Sequence, residues 1–125
     1  GMNFQVVSGN GETDGNTNGT GNIIIGYDEA DDSSDDKDGS HNLIVGRFHS
    51  YSSYGGIVAG EDNEITGVSA SVLGGARNST DGDGAVVVGG LDNQADGETS
   101  VVVAGEKNRS NGRSCTILAG AQNLC

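Results

Sequence analysis

Short apolar runs punctuate this chain at nearly constant intervals. From residue 55 onward they read Ile57-Val58-Ala59, Val72-Leu73-Gly74, Val87-Val88-Gly89, Val102-Val103-Ala104 and Ile117-Leu118-Ala119. A glycine closes each run, at Gly60, Gly75, Gly90, Gly105 and Gly120, always fifteen residues after the last. Three residues beyond each glycine stands an asparagine (Asn63, Asn78, Asn93, Asn108, Asn123), and a second glycine recurs at Gly67, Gly82, Gly97 and Gly112. Earlier copies are Asn42-Leu43-Ile44-Val45-Gly46, Asn22-Ile23-Ile24-Ile25-Gly26 and a weaker Val6-Val7-Ser8-Gly9. Together they make eight coils with glycine spacings of 17, 20, 14 and then four of 15.

Fixed-period self-similarity predicts a solenoid, in which each coil buries its apolar residues against its neighbours. The runs are β-strands by length and by Val/Ile content, and too short for helices. A fifteen-residue coil has room for a second short strand in its polar half, such as Glu64-Ile65-Thr66 or Arg109-Ser110-Asn111. The expected fold is therefore all-β: a parallel β-roll or β-solenoid of two narrow sheets around a core one side chain thick. Residues 55–125 form the regular roll, and residues 1–54 form irregular coils with an acidic insertion and an aromatic turn.

Successive side chains of a strand point to opposite faces. Aligned on their glycines, the coils place Ile57, Val72, Val87, Val102 and Ile117 in one column and Val58, Leu73, Val88, Val103 and Leu118 in the next. One column fills the coil core, and the other makes an outward apolar stripe over five coils. A stripe of that length calls for a cover, and the simplest cover is another copy of the chain. Three rods each burying one stripe around a shared axis give a side-by-side homotrimer, with these residues as coil core or trimer interface.

Composition narrows the picture further. The chain has 23 Gly, no Pro, no Trp and five Phe or Tyr, with a net charge of −12. Glycine without a Gly-X-Y register excludes collagen, and the regular Val/Ile runs argue against a disordered acidic chain. There is no basic stripe to displace counterions from nucleic acid or to dock on anionic lipid. No apolar stretch is long enough to span a membrane. Gly1-Met2 reads as a remnant of tag removal ahead of a start methionine, so the chain is expected to be a fragment of a longer exported protein. The asparagine column reads as structural: asparagine tolerates left-handed turns, and stacked copies can bond in a ladder.

The strings Asn22-Ile23-Ile24-Ile25-Gly26 and Asn42-Leu43-Ile44-Val45-Gly46 resemble the Asn-Ser-Val-Ala-Ile-Gly repeat of trimeric autotransporter adhesin heads. Ala70-Ser71-Val72-Leu73-Gly74-Gly75, followed by Ala76-Arg77-Asn78, is similar to a related repeat of bacterial surface proteins. The resemblance implies a left-handed parallel β-roll, three chains side by side, on an extracellular fibre at the bacterial cell surface. It also implies adhesion to host, prey or other surface ligands. Two departures stand out: family head repeats usually run at fourteen residues, and they place a large residue where coils four to eight have Gly or Ala before the glycine. A receptor-binding or shaft segment of a phage-type tail fibre is the alternative, to be told apart by the flanking sequence.

Three groups of residues are candidates for chemistry. Asp28, Glu29, Asp31, Asp32, Asp35, Asp36 and Asp38 crowd the insertion, and clustered carboxylates suit calcium, which takes six to eight oxygens. Both Asp36-Lys37-Asp38-Gly39 and Asp14-Gly15-Asn16-Thr17-Asn18-Gly19 match part of a calcium loop but lack its closing glutamate, so the plainer reading is a solvated acidic loop and a turn. The turn Arg47-Phe48-His49-Ser50-Tyr51-Ser52-Ser53-Tyr54 offers Arg47, Phe48, His49, Tyr51 and Tyr54 to a cell-surface glycan or protein receptor. The same rings could instead cap the roll where its repeat changes. Cys115 and Cys125 can pair within the last coil or between chains, as expected of an exported protein. No catalytic set is present: both histidines lie at or before residue 49, and the six-residue register of β-helix acyltransferases is missing, so a non-enzymatic role without other cofactors is expected.

Overall fold

A computed structural model describes residues 1–125, all of them strand, turn or irregular chain, with no helix. The chain is a parallel β-solenoid. Seven strands stack in one sheet: β1 (Ile23–Ile25), β2 (Leu43–Arg47), β4 (Ile57–Glu61), β6 (Ser71–Val72), β8 (Val86–Val87), β10 (Val101–Val102) and β12 (Thr116–Ile117). Five stack in the other: β3 (Ser50–Tyr51), β5 (Glu64–Ile65), β7 (Ser79–Thr80), β9 (Gln94–Ala95) and β11 (Arg109–Ser110). The sheets alternate along the chain, so each coil from β2 to β11 contributes a strand to both in turn. The weak copy at Val6-Val7 forms no strand, which corrects the first of the eight expected coils.

The core is a set of columns. Ile44, Val58, Val72, Val87, Val102 and Ile117 fill the first sheet's inner position, and Tyr51, Ile65, Thr80, Ala95 and Ser110 fill the second's. A third column runs along one corner as Asn42, Gly56, Ala70, Ala85, Ser100 and Cys115, each just ahead of its first-sheet strand. Gly56 faces Ile65 so closely that a Cβ there would lie 2.8 Å from Ile65 Cδ1. Where the second-sheet residue shrinks to Thr80 and Ala95, the corner residue can be alanine.

Pairing fixes a register that the glycine spacing conceals. Val58 pairs with Val72, not with Leu73, and Ile57 pairs with Ser71. The outward residues of that strand pair are therefore Ile57 and Ser71 on one side and Ala59 and Leu73 on the other. The cause is one extra residue: Glu61 bridges to Ala76, so two residues separate Val58 from Glu61 whereas three separate Val72 from Ala76. Steps of fourteen become steps of fifteen at that point, and the five-residue strands β2 and β4 give way to two-residue strands. A fourteen-residue step thus persists through coils 43–71, and the longer coil begins beyond it.

Each coil turns on left-handed residues, but not on the asparagines. The residue before each asparagine carries the positive φ, as at Asp62 (54°), Arg77 (53°), Asp92 (55°) and Lys107 (55°). The asparagine itself is then free to turn its amide into the core.

Candidate functional site

The outer face of the seven-stranded sheet exposes apolar side chains along the rod. Its two outward columns are Ile23, Leu43, Ile57, Ser71, Val86, Val101, Thr116 and Ile25, Val45, Ala59, Leu73, Val88, Val103, Leu118. Leu73, Val88 and Leu118 are 47%, 42% and 71% exposed, although they follow directly on the strands. Of the expected core-or-interface residues, Val58, Val72, Val87, Val102 and Ile117 are core, whereas Leu73, Val88, Val103 and Leu118 belong to this outer face.

The asparagine column is a buried ladder. Asn78 N donates to Asn63 Oδ1 at 2.8 Å, Asn93 N to Asn78 Oδ1 at 2.9 Å, Asn108 N to Asn93 Oδ1 at 3.0 Å and Asn123 N to Asn108 Oδ1 at 3.0 Å. The side-chain amides direct their own N–H groups to carbonyls, as Asn93 Nδ2 does to Gly89 O (3.2 Å) and Gly105 O (2.9 Å). A buried polar chain of this kind is tolerated because its members satisfy one another. The amides are turned to the coil and not to an outside ligand.

The acidic insertion is an edge cover. Residues 28–39 lie along β3, the last strand of the five-stranded sheet, and satisfy it: Phe48 N donates to Glu29 O (3.0 Å), Tyr51 N to Asp36 O (2.7 Å) and Gly39 N to Tyr51 O (2.9 Å). An unpaired edge would invite another strand, and this loop occupies it. Lys37 anchors the cover, with Nζ 3.0 Å from Asp28 Oδ1, 2.6 Å from His49 O and 5.5 Å from the Tyr51 ring centre. The expectation of a merely solvated loop is corrected, since its backbone is tied to the coil. The pairing partner was not visible in the sequence, where only Lys37 amid seven carboxylates hinted at an anchor.

The aromatic turn does not present one surface. Tyr51 is 2% exposed, and its hydroxyl donates to Asp28 Oδ2 at 2.7 Å. Burial, then that bond and the Asp28 charge, push its phenol far above the usual range. His49 is 1% exposed and heads the asparagine ladder, accepting the Asn63 N–H on Nδ1 at 3.2 Å and donating from Nε2 to Val45 O at 3.0 Å. Neither ring can reach a receptor, which corrects the expectation for both. Arg47 lies on the surface with its guanidinium 4.9 Å from the half-buried Phe48 ring, and Tyr54 is half-buried one corner away.

Beside the insertion, Asp31, Asp35, Phe48, Asp62, Glu64 and Arg77 line an open groove of about 350 Å³. The carboxylates of Asp31, Asp32 and Asp35 approach within 4.8 Å of one another, enough to offer three oxygens to a hard cation from an exposed position. Asp62 is raised above the usual carboxylate range by burial and by Asp31, and Glu64 by burial and by Asp81, Asp35 and Asp36. The Asp62, Arg77, Asp92 and Lys107 corners alternate in sign along the rod, and Arg77 holds Asp92 through 2.7 and 3.1 Å bonds that keep that carboxyl low. The fifteen-residue spacing already contained this alternation.

Cys115 and Cys125 form a disulfide within the chain, Cα atoms 6.3 Å apart, joining the corner column to the second-sheet column across the last coil. No protein-family model, curated protein or solved structure matches this chain.

Proposed function

We propose that this chain is a non-enzymatic structural and adhesive segment of a trimeric bacterial cell-surface fibre. The observation that carries the reading is the uncovered apolar face of the seven-stranded sheet. Hydrophobic residues at Leu73, Val88, Val103 and Leu118 repeat along it at one position per coil, each beside a second outward column. Apolar surface left in water costs roughly 25 cal/mol per Å² relative to burial. A continuous strip of it on an otherwise charged rod is the mark of an interface. The rod itself suits a spacer: parallel strands stack about 4.8 Å apart, so its length scales with coil number. Adhesion falls to the end bearing residues 1–54, where Arg47, Phe48 and Tyr54 remain within reach of a glycan or protein, and three chains together would multiply weak contacts by avidity.

The test is absolute mass by light scattering on a sizing column. The reading expects three times 12.5 kDa, reduced to one by Val88→Glu, which places a charge at the middle of the strip. A monomer at concentrations up to the millimolar range would overturn the shared-face assembly and with it the fibre.

A further inference from the structure

We propose that Asn10-Gly11 is a self-modification site, at which the asparagine converts through a cyclic imide to aspartate and isoaspartate with water as the co-reactant. The Gly11 nitrogen attacks the Asn10 Cγ, and the new C–N bond closes the imide as the side-chain nitrogen leaves as ammonia. Water then opens either imide carbonyl, which gives aspartate or an isoaspartyl linkage, and nothing is oxidised or reduced. The nucleophile is the deprotonated backbone nitrogen, and a following glycine puts no side chain in its way. A backbone N–H already committed to a carbonyl is released for attack only when that bond opens.

The chain has eight Asn-Gly or Asp-Gly steps. In six of them the glycine N–H is held by a carbonyl: Gly19 by Asp38 O (2.8 Å), Gly39 by Tyr51 O (2.9 Å), Gly82 by Ala95 O (3.4 Å), Gly84 by Val68 O (2.9 Å), Gly97 by Ser110 O (3.1 Å) and Gly112 by Cys125 O (3.0 Å). Gly82, Gly97 and Gly112 are the same turn of successive coils, so stacking covers the vulnerable nitrogen each time. The N–H groups of Gly11 and Gly15 donate to no carbonyl. Asp14 precedes Gly15 as a carboxylate, which is a poorer electrophile than an amide. Asn10 is thus the step that combines an amide with an uncommitted glycine N–H. Asn10 and Gly11 are both exposed, ahead of the first strand. The Asn10 amide makes two exposed contacts, from Nδ2 to Asn16 O at 2.6 Å and from Asn18 Nδ2 to its Oδ1 at 3.3 Å. Asn18 is held more fully, its Oδ1 accepting from Thr20 N, Thr20 Oγ1 and Ser40 Oγ. Conversion at Asn10 replaces the donor to Asn16 O with an anionic oxygen and breaks that contact. It also adds a negative charge to the acidic end of the rod.

The experiment incubates the purified chain for days in neutral buffer at physiological temperature, folded and, in parallel, in guanidinium. Tandem mass spectrometry locates each amide-to-acid mass gain, and resistance to an aspartate-directed protease marks the isoaspartyl share. In the folded chain Asn10 should convert at least about tenfold faster than Asn18 and Asn111, because those two must first open a local hydrogen bond. In guanidinium the three rates should converge. Asn10→Gln should remove the early conversion from the folded chain. Asn18 or Asn111 keeping pace with Asn10 in the folded chain overturns the site. So does a rate ratio that guanidinium leaves unchanged, since the adjoining sequence and not the fold would then set it. Asn10 remaining intact while the Asn-Gly steps of the denatured chain convert overturns it as well.

Discussion

The His49 imidazole occupies the place of an asparagine directly above Asn63. It accepts the Asn63 N–H on Nδ1 at 3.2 Å, as Asn63 Oδ1 accepts the Asn78 N–H at 2.8 Å one coil further on. The ladder thus continues into the irregular end with a different residue. His49→Ala should leave the buried Asn63 N–H without a partner, at a cost of about 1–3 kcal/mol plus the lost packing. His49→Asn restores the acceptor and should recover most of the hydrogen-bond loss. Urea unfolding of the two variants checks the order. Equal destabilisation would mean that the ring's volume, not its acceptor, is what the coil needs.

Position along the ladder should decide the cost of breaking it. Asn93 is fully buried, with its neighbour Asn108 depending on its Oδ1 and the carbonyls of Gly89 and Gly105 on its Nδ2. Asn93→Ala strands several of these at once and should cost about 3 kcal/mol or more. Asn123 is exposed and its Oδ1 receives no ladder N–H, so Asn123→Ala should cost under about 1 kcal/mol. Denaturant midpoints of the pair measure the difference.

Much of this architecture was readable from spacing. The apolar runs became the first-sheet strands, Glu64-Ile65 and Arg109-Ser110 became second-sheet strands, and the asparagines became a structural ladder. The failures have a common physical cause: periodic landmarks report the turns, whereas side-chain facing depends on pairing. Gly60 and Gly75 keep step at fifteen, yet Val58 and Val72 pair at fourteen, because the extra residue lies between strand and turn. Likewise, nothing in the composition of 28–38 says that its backbone will complete the edge of β3. Tyr51 and His49 fell into the core because they take the places that Ile65 and Asn63 hold one coil on, while Arg47 and Phe48 beside them stayed out.

The glycines of the coil are of two kinds, and substitution should separate them. Gly105 has φ of 106°, and a Cβ there would run into Gly120 O and lie 2.7 Å from Asn108 Nδ2. Gly105→Ala should therefore destabilise by about 3 kcal/mol, from backbone strain and displacement of the next coil. At Gly89 the backbone φ is not positive, and an added Cβ would meet no atom within 4 Å. Gly89→Ala should be neutral or slightly stabilising, by up to about 1 kcal/mol, through the unfolded chain. Thermal midpoints of the two single variants provide the comparison.

Acid should strengthen the groove before it weakens the rest. Asp62 and Glu64 have folded pKa values above their unfolded ones, so their ionised forms are disfavoured by the fold. The penalty is present at neutral pH and is relieved as pH falls through the raised values. Asp92 has the opposite sign: its contribution is present above its unfolded pKa and is lost as pH falls through the lowered folded value. Stability should therefore rise modestly as pH falls from neutral through the raised values of Asp62 and Glu64, then decline as Asp92 and its like are protonated. Asp35→Asn removes one charge acting on both groove carboxylates and should flatten the rise. Unfolding free energy measured across pH in wild type and variant tests the sign, and an unchanged profile in Asp35→Asn would place the repulsion elsewhere.

The disulfide marks a pair of positions that every regular coil repeats. Cys115 continues the corner column of Ala85 and Ser100, and Cys125 continues the second-sheet column of Ala95 and Ser110. Ser110 shows the contiguity directly, with its Oγ donating to Cys115 O at 2.9 Å and lying 3.7 Å from Cys125 Sγ. Because stacked coils repeat their geometry, Ala85 and Ala95, ten residues apart like the native pair, should present the same Cβ separation. Ala85→Cys with Ala95→Cys should form a second disulfide on air oxidation, detected as two further thiols lost and as a peptide cross-link by mass spectrometry. A ten-residue loop predicts at most about 3 kcal/mol of stabilisation, offset by the fit of two sulfurs in a core built for two methyl groups. Free thiols at both positions in the oxidised, folded protein would show that the last coil is shaped for its disulfide in a way the interior coils are not.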